Sequence, residues 1–95
     1  MAQRPQPPYE KEEGTPEFYV DAVHVETQLY STTLYLGELR PDQPQLVRVT
    51  IKVSPPMAKV LSLILSKHVR LYENDIGPIN IPKQLLHDLG LEELI

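Results

Sequence analysis

The residues of this 95-residue chain best suited to proton transfer or metal ligation near neutral pH are His24, His68 and His87. A metal centre needs three or four such side chains converging on one point, and a general acid or base needs an orienting partner. The three histidines share no ligand-like spacing. They are expected in different elements, two of them without an acidic companion on the same face. Paired carboxylates occur only in clusters such as Glu92-Glu93, where solvation accounts for them. The four glycines, Gly14, Gly37, Gly77 and Gly90, are isolated, so no Gly-rich phosphate loop is present. No serine has the flanking glycines of a nucleophile elbow. There is no cysteine, which excludes a disulfide framework and thiolate chemistry. No catalytic, cofactor-binding or metal-binding residue is therefore assigned, and an enzyme is not expected.

The most distinctive polar pattern is instead a row on a strand, Arg48, Thr50 and Lys52, interleaved with Val47, Val49, Ile51 and Val53. That alternation predicts strand Leu46–Val53, with the valines and Ile51 on a buried face and the polar row available for contact. Two further strands are expected ahead of it. Phe18–Thr27 is rich in aromatic and β-branched residues, with Val20 and Ala22 on one face and Tyr19, Val23 and Val25 on the other. Thr32–Leu39 places Leu34 and Leu36 opposite Thr33 and Tyr35. The segment Arg40-Pro-Asp-Gln-Pro44 has strong turn chemistry. Short connections between the three strands imply an antiparallel meander.

Ser54 is a good N-cap and Pro55 a good first helical residue, so a long helix is expected to follow at once. Met57, Val60, Leu61, Ile64, Leu65, His68, Leu71 and Tyr72 recur on one face of it. His68, in mid-stripe, is read as a partly buried, satisfied histidine. Asn74 to Pro78 ends the helix; Ile79-Asn-Ile81 is a possible fourth strand; Pro82–Leu89 predicts a short helix closed by Gly90. The expected architecture is α+β: a three- to four-stranded antiparallel meander packed by one long helix, plus a short C-terminal helix. The expected organisation is a disordered or extended Pro-rich acidic arm at 1–17, an α+β domain at 18–82 and a short helix and tail at 83–95.

Charge is distributed as acidic ends around a weakly basic middle. Residues 18–72 carry six bases against Asp21, Glu26, Glu38 and Asp42, whereas 73–95 set Lys83 against five acids. Nucleic-acid binders show a far stronger basic excess. The strand followed by Ser54-Pro55 and a helix nevertheless resembles the start of a ribbon-helix-helix protein, which would send Arg48, Thr50 and Lys52 into the major groove. That is the alternative functional reading.

A broader resemblance covers Tyr19 to about Pro82. Ser54-Pro55, Ala58-Lys59, Leu61, Leu65, Tyr72-Glu73, and Gly77 with Ile79, Ile81 and Pro82 are similar to the prokaryotic domain-of-unknown-function family 3467. The resemblance implies a meander followed by a Ser/Thr-Pro helix ending in Tyr-Glu and Gly-x-Ile. It implies no activity and assigns no functional residue.

The apolar inventory decides the leading expectation. Leu63 and Val69 lie off the helical stripe, and Val20 and Ala22 lie on the second face of strand 1. Uncovered apolar surface of that kind marks interfaces. A homo-oligomer is expected, with Leu63, Val69, Val20 and Ala22 as interface residues and a protein partner as a further possibility. No apolar run approaches the ~20 residues of a membrane span, and Met1–Gly14 contains no secretory h-region. A cytoplasmic, intracellular module without cofactor is the expected setting.

Overall fold

A computed structural model of the chain describes residues 7–94. It contains β1 (Ala22–Thr27), β2 (Thr32–Glu38), β3 (Leu46–Val53), α1 (Pro55–Asp75), α2 (Lys83–Asp88) and a terminal 3-10 turn, Glu92–Leu94. The chain divides into two units, Met1–Val53 and Ser54–Ile95. This is the expected α+β order of antiparallel meander, long helix and short C-terminal helix. Of the expected N-terminal arm, residues 1–6 lie outside the described residues. Residues 7–21 carry neither helix nor strand and are almost wholly exposed. Their one local device is a turn at Gly14, φ +80°, where Thr15 N–H and its hydroxyl both donate to Glu12 O.

The sheet is three-stranded in the order β1-β2-β3, antiparallel throughout. Its first strand begins at Ala22, four residues later than the composition suggests. The reason is at the far end of β2. Asp21 N–H still donates to Gly37 O, but Leu39 N–H is taken by the Asp21 side chain at 2.9 Å, which closes the ladder. Between β1 and β2 the reversal Gln28–Ser31 is held by Gln28 N–H donating to Ser31 O. Between β2 and β3 the turn is braced by Arg40, whose Nε and Nη2 both donate to Pro44 O. Asp42 there adopts φ +54°, a conformation Asp tolerates better than most residues.

The alternation in β3 is broken once. Leu36 faces Val49 but Gly37 faces Val47, so Arg48 is an extra residue in a β-bulge. Gly37 makes the bulge possible: a Cβ there would lie 1.8 Å from Leu46 O. The consequence corrects the expectation that Val47, Val49, Ile51 and Val53 share a face. Val49, Ile51 and Val53 line up with Leu36, Leu34 and Thr32, and through them with Val23, Val25 and Thr27. Val47 instead joins the opposite face, with Gly37 and Ala22. Ile79–Ile81 forms no fourth strand among the described residues.

In the second unit the predicted caps are present. The Ser54 hydroxyl accepts from Met57 N–H at 3.3 Å, and the two prolines Pro55 and Pro56 occupy first-turn positions that have no donor to lose. At the other end Ile76 and Gly77 N–H groups both donate to Tyr72 O. The Glu73 carboxylate then reaches forward to accept from Ile79 N–H at 3.2 Å, so Glu73, Gly77 and Ile79 together fix how the chain leaves the helix. The short helix α2 ends at Gly90, φ +68°, where Leu91 N–H reaches Leu86 O.

Burial is sparse. The only buried side chains among the described residues are those of Ala22, Thr32 and Thr33, in the sheet. Helix α1 buries none of its 21 residues.

Candidate interaction surfaces

Three surfaces carry the chemistry of the molecule: the two faces of the sheet and the stripe of α1. The first sheet face is apolar. Three cross-strand rows build it, Val23–Leu36–Val49, Val25–Leu34–Ile51 and Thr27–Thr32–Val53. Its central-strand leucines are half-buried by their neighbours, while Val23, Val25 and Ile51 are exposed. Cross-strand contacts between β-branched residues stabilise such a face, but each also leaves one side open to water.

The second face is polar and contains a shallow depression lined by His24, Glu26, Tyr35, Gln45 and Val47. Strand alternation puts His24 and Glu26 on this face, and antiparallel register brings Tyr35 opposite His24. The Tyr35 hydroxyl donates to Glu26 Oε2 at 3.0 Å, while His24 Nε2 lies 3.7 Å from Glu26 Oε1. The His24 and Tyr35 rings sit 5.8 Å apart, tilted. Hydrogen bonding to Glu26 is the main cause that raises the Tyr35 phenol above its usual range, with desolvation and the Glu26 charge adding to it. The hydroxyl is thus held in its neutral donor form, the opposite of an activated nucleophile. This cluster corrects the expectation about histidine partners. His24 has Glu26 two residues along its own strand, and His87 Nδ1 lies 2.6 Å from Glu92 Oε1. The period-two signal for the first pair was present in the sequence; the second needed the turn at Gly90. No group of three possible metal ligands occurs among the described residues.

The expected polar row is split. Thr50 and Lys52 stand beside Tyr35 and Thr33 on the polar face. Arg48, displaced into the bulge, pairs instead with Glu38 at 3.2 Å. Both partners are half-exposed, so the pair contributes little to stability, but it occupies the one guanidinium in the row.

Helix α1 presents a stripe of exposed apolar side chains. Met57, Val60, Ile64, Leu65, Leu71 and Tyr72 are each between 45% and 56% exposed. His68 is exposed as well, not the half-buried residue its place in the stripe suggests. Of the four residues expected at an interface, Leu63 is 62% and Val69 44% exposed on α1. Val20 is half-buried ahead of β1, and Ala22 is already buried beside Gly37. Lys59, Ser62, Ser66 and Arg70 form the polar side of the helix, where the Ser62 hydroxyl donates to Lys59 O. No helix is long and apolar enough to cross a membrane among the described residues.

No family model matches this chain, and no curated protein or solved structure matches it either.

Proposed function

We propose that this chain is a non-enzymatic module that self-associates and works by binding protein. The observation that carries the reading is the stripe of α1, a helix whose apolar side chains recur at regular spacing and are none of them buried. Apolar surface of this extent has a large hydrophobic incentive to be covered, at about 25 cal/mol per Å² removed from water. The apolar sheet face adds to the same account. The polar cluster on the sheet, Tyr35–Glu26–His24, holds a neutral phenol and lacks an activated nucleophile, which favours binding over catalysis. The pairing of Arg48 with Glu38 and the net charge of -4 favour a protein partner over a nucleic acid. The cytoplasm is the proposed setting, consistent with a chain that uses no cysteine.

Light scattering on the eluting full chain tests the reading. A mass that rises with loading concentration, to twice the chain mass or more, is the expected result. A single 10.9 kDa species up to high micromolar concentration would refute it.

A further inference from the structure

We infer that two copies of this chain join edge to edge through β1, antiparallel, with the two-fold axis at Val25. The inference rests on the self-association reading and names a contact and a register for it that make no use of α1.

The hairpin fixes which backbone groups of β1 are left over. Gln28 N–H donates to Ser31 O, so residues 28 and 31 form a hydrogen-bonded pair. In an antiparallel ladder such pairs alternate with non-bonded ones, so Glu26–Thr33 and His24–Tyr35 are bonded pairs as well. Val23, Val25 and Thr27 therefore turn their N–H and C=O groups away from β2. No hydrogen bond among the described residues reaches those groups from elsewhere, and β1 is an edge of the sheet. Nor does the rest of the chain offer an extended partner: residues 7–21 and the described part of Ser54–Ile95 hold no strand. Helical backbone is bonded within its own helix and cannot supply the missing groups.

The two edges of the sheet differ. Edge strands are ordinarily guarded by lysine, proline or a bulge. β3 has the bulge at Arg48 and carries Lys52. β1 has none of the three; its register is uninterrupted, and Val23 and Val25 are exposed. Pairing at β1 therefore gives a closed dimer whose outer edges are the two guarded β3 strands.

Charge selects both the occupant and the register. With the axis at Val25, that residue faces Val25 of the second copy, and Val23 faces its Thr27. All are outward-turned residues, so each such pair can exchange two hydrogen bonds. His24 then faces Glu26 of the second copy, and the reverse by symmetry, at the closer non-bonded positions. Within its own chain His24 Nε2 is 3.7 Å from Glu26 Oε1, beyond hydrogen-bond length, while Oε2 accepts from Tyr35. Sliding the copies by two residues sets His24 on His24 in one direction and Glu26 on Glu26 in the other. The register at Val25 also joins the apolar faces, because the row Ile51–Leu34–Val25 continues through the same three residues in reverse.

The chain has no cysteine, so single cysteines can read the register. Val25→Cys, Val23→Cys and Thr27→Cys are made as full-length proteins, checked by circular dichroism and oxidised alone; the last two are also oxidised as an equimolar mixture. In the paired edge Val25 lies about 5.5 Å from its own copy, within disulfide reach, and Val23 about 13 Å along the strand from its own. Val25→Cys and the mixture should each cross-link about ten-fold faster than Val23→Cys or Thr27→Cys alone. His24→Glu sets like charges face to face and should weaken dimerisation about ten-fold by light scattering. Rapid self-linking of Val23→Cys, or dimerisation unchanged by His24→Glu, would overturn the register. An oligomer in which neither Val25→Cys nor the mixture gains would overturn the β1 contact and leave the self-association reading standing. A monomer by light scattering would overturn both.

Discussion

The sheet unit and the helical unit solve the same problem by different means. In the sheet, backbone groups are satisfied only by partners far along the chain, so register, turn and bulge must all be right at once. The result is a small shielded centre at Ala22, Thr32 and Thr33. In α1 every backbone bond is local, capped at Ser54 and closed at Tyr72, and the helix is fully specified with no side chain buried. The contrast teaches that backbone satisfaction and side-chain burial are separate requirements. A long capped helix can meet the first alone and leave the second to a partner, whereas a three-stranded meander cannot form without some of each.

The comparison can be broken most forcefully at Gly37. A Cβ there runs into Leu46 O, and every atom it would meet is backbone of Leu46 or Val47, with no flexible side chain to yield. Gly37→Ala should cost about 3–4 kcal/mol and collapse the pairing of β2 with β3, while α1 keeps its helical signal. Chemical denaturation with circular dichroism would show it; an unchanged midpoint would mean the bulge is not as described. Next in size is Ile64→Lys on the stripe. If the proposed self-association holds, it should weaken association by about 2–3 kcal/mol and leave the sheet intact. Equal stability loss at all protein concentrations would instead place Ile64 in an intrachain core.

Ser54→Ala should cost about 1 kcal/mol by freeing Met57 N–H, fraying only the first turn of α1. Amide exchange confined to residues near Met57 would locate the loss. The smallest effect concerns Tyr35. Its folded-state ionisation lies above the unfolded one, so the contribution it makes is present below the ordinary phenol range and is lost as pH rises through the raised value. Ultraviolet titration should show Tyr35 ionising above the ordinary phenol range, and Glu26→Gln should lower that ionisation. No change on that substitution would remove Glu26 as the cause.

Much of this was legible in the residues themselves. β3 and the start of α1 were readable because alternation, Ser54 and two prolines give unambiguous local signals. The meander was readable because short, turn-rich connections leave few alternatives. Three things were not. The bulge at Arg48 depends on how closely two strands approach at Gly37, a tertiary distance that an isolated glycine does not announce. That hidden bulge moved Val47 to the polar face and separated Arg48 from Thr50 and Lys52. The start of β1 depended on Asp21 capturing Leu39 N–H, a contact eighteen residues apart. The Tyr35–Glu26–His24 cluster needed the β1–β2 register, although its strand half was implicit in the spacing of His24 and Glu26. Burial was the least legible property. A periodic stripe states which side chains belong together on a face, not whether the chain that carries them also covers them.

The most direct measurement is hydroxyl-radical footprinting of α1 in the full chain across a wide range of protein concentration. Labelling at Met57, Ile64, Leu65 and Leu71 should fall as concentration rises, while labelling of the exposed hairpin tip at Leu29 and Tyr30 stays constant. Labelling of the stripe that does not change with concentration would contradict the claim that a second copy covers it.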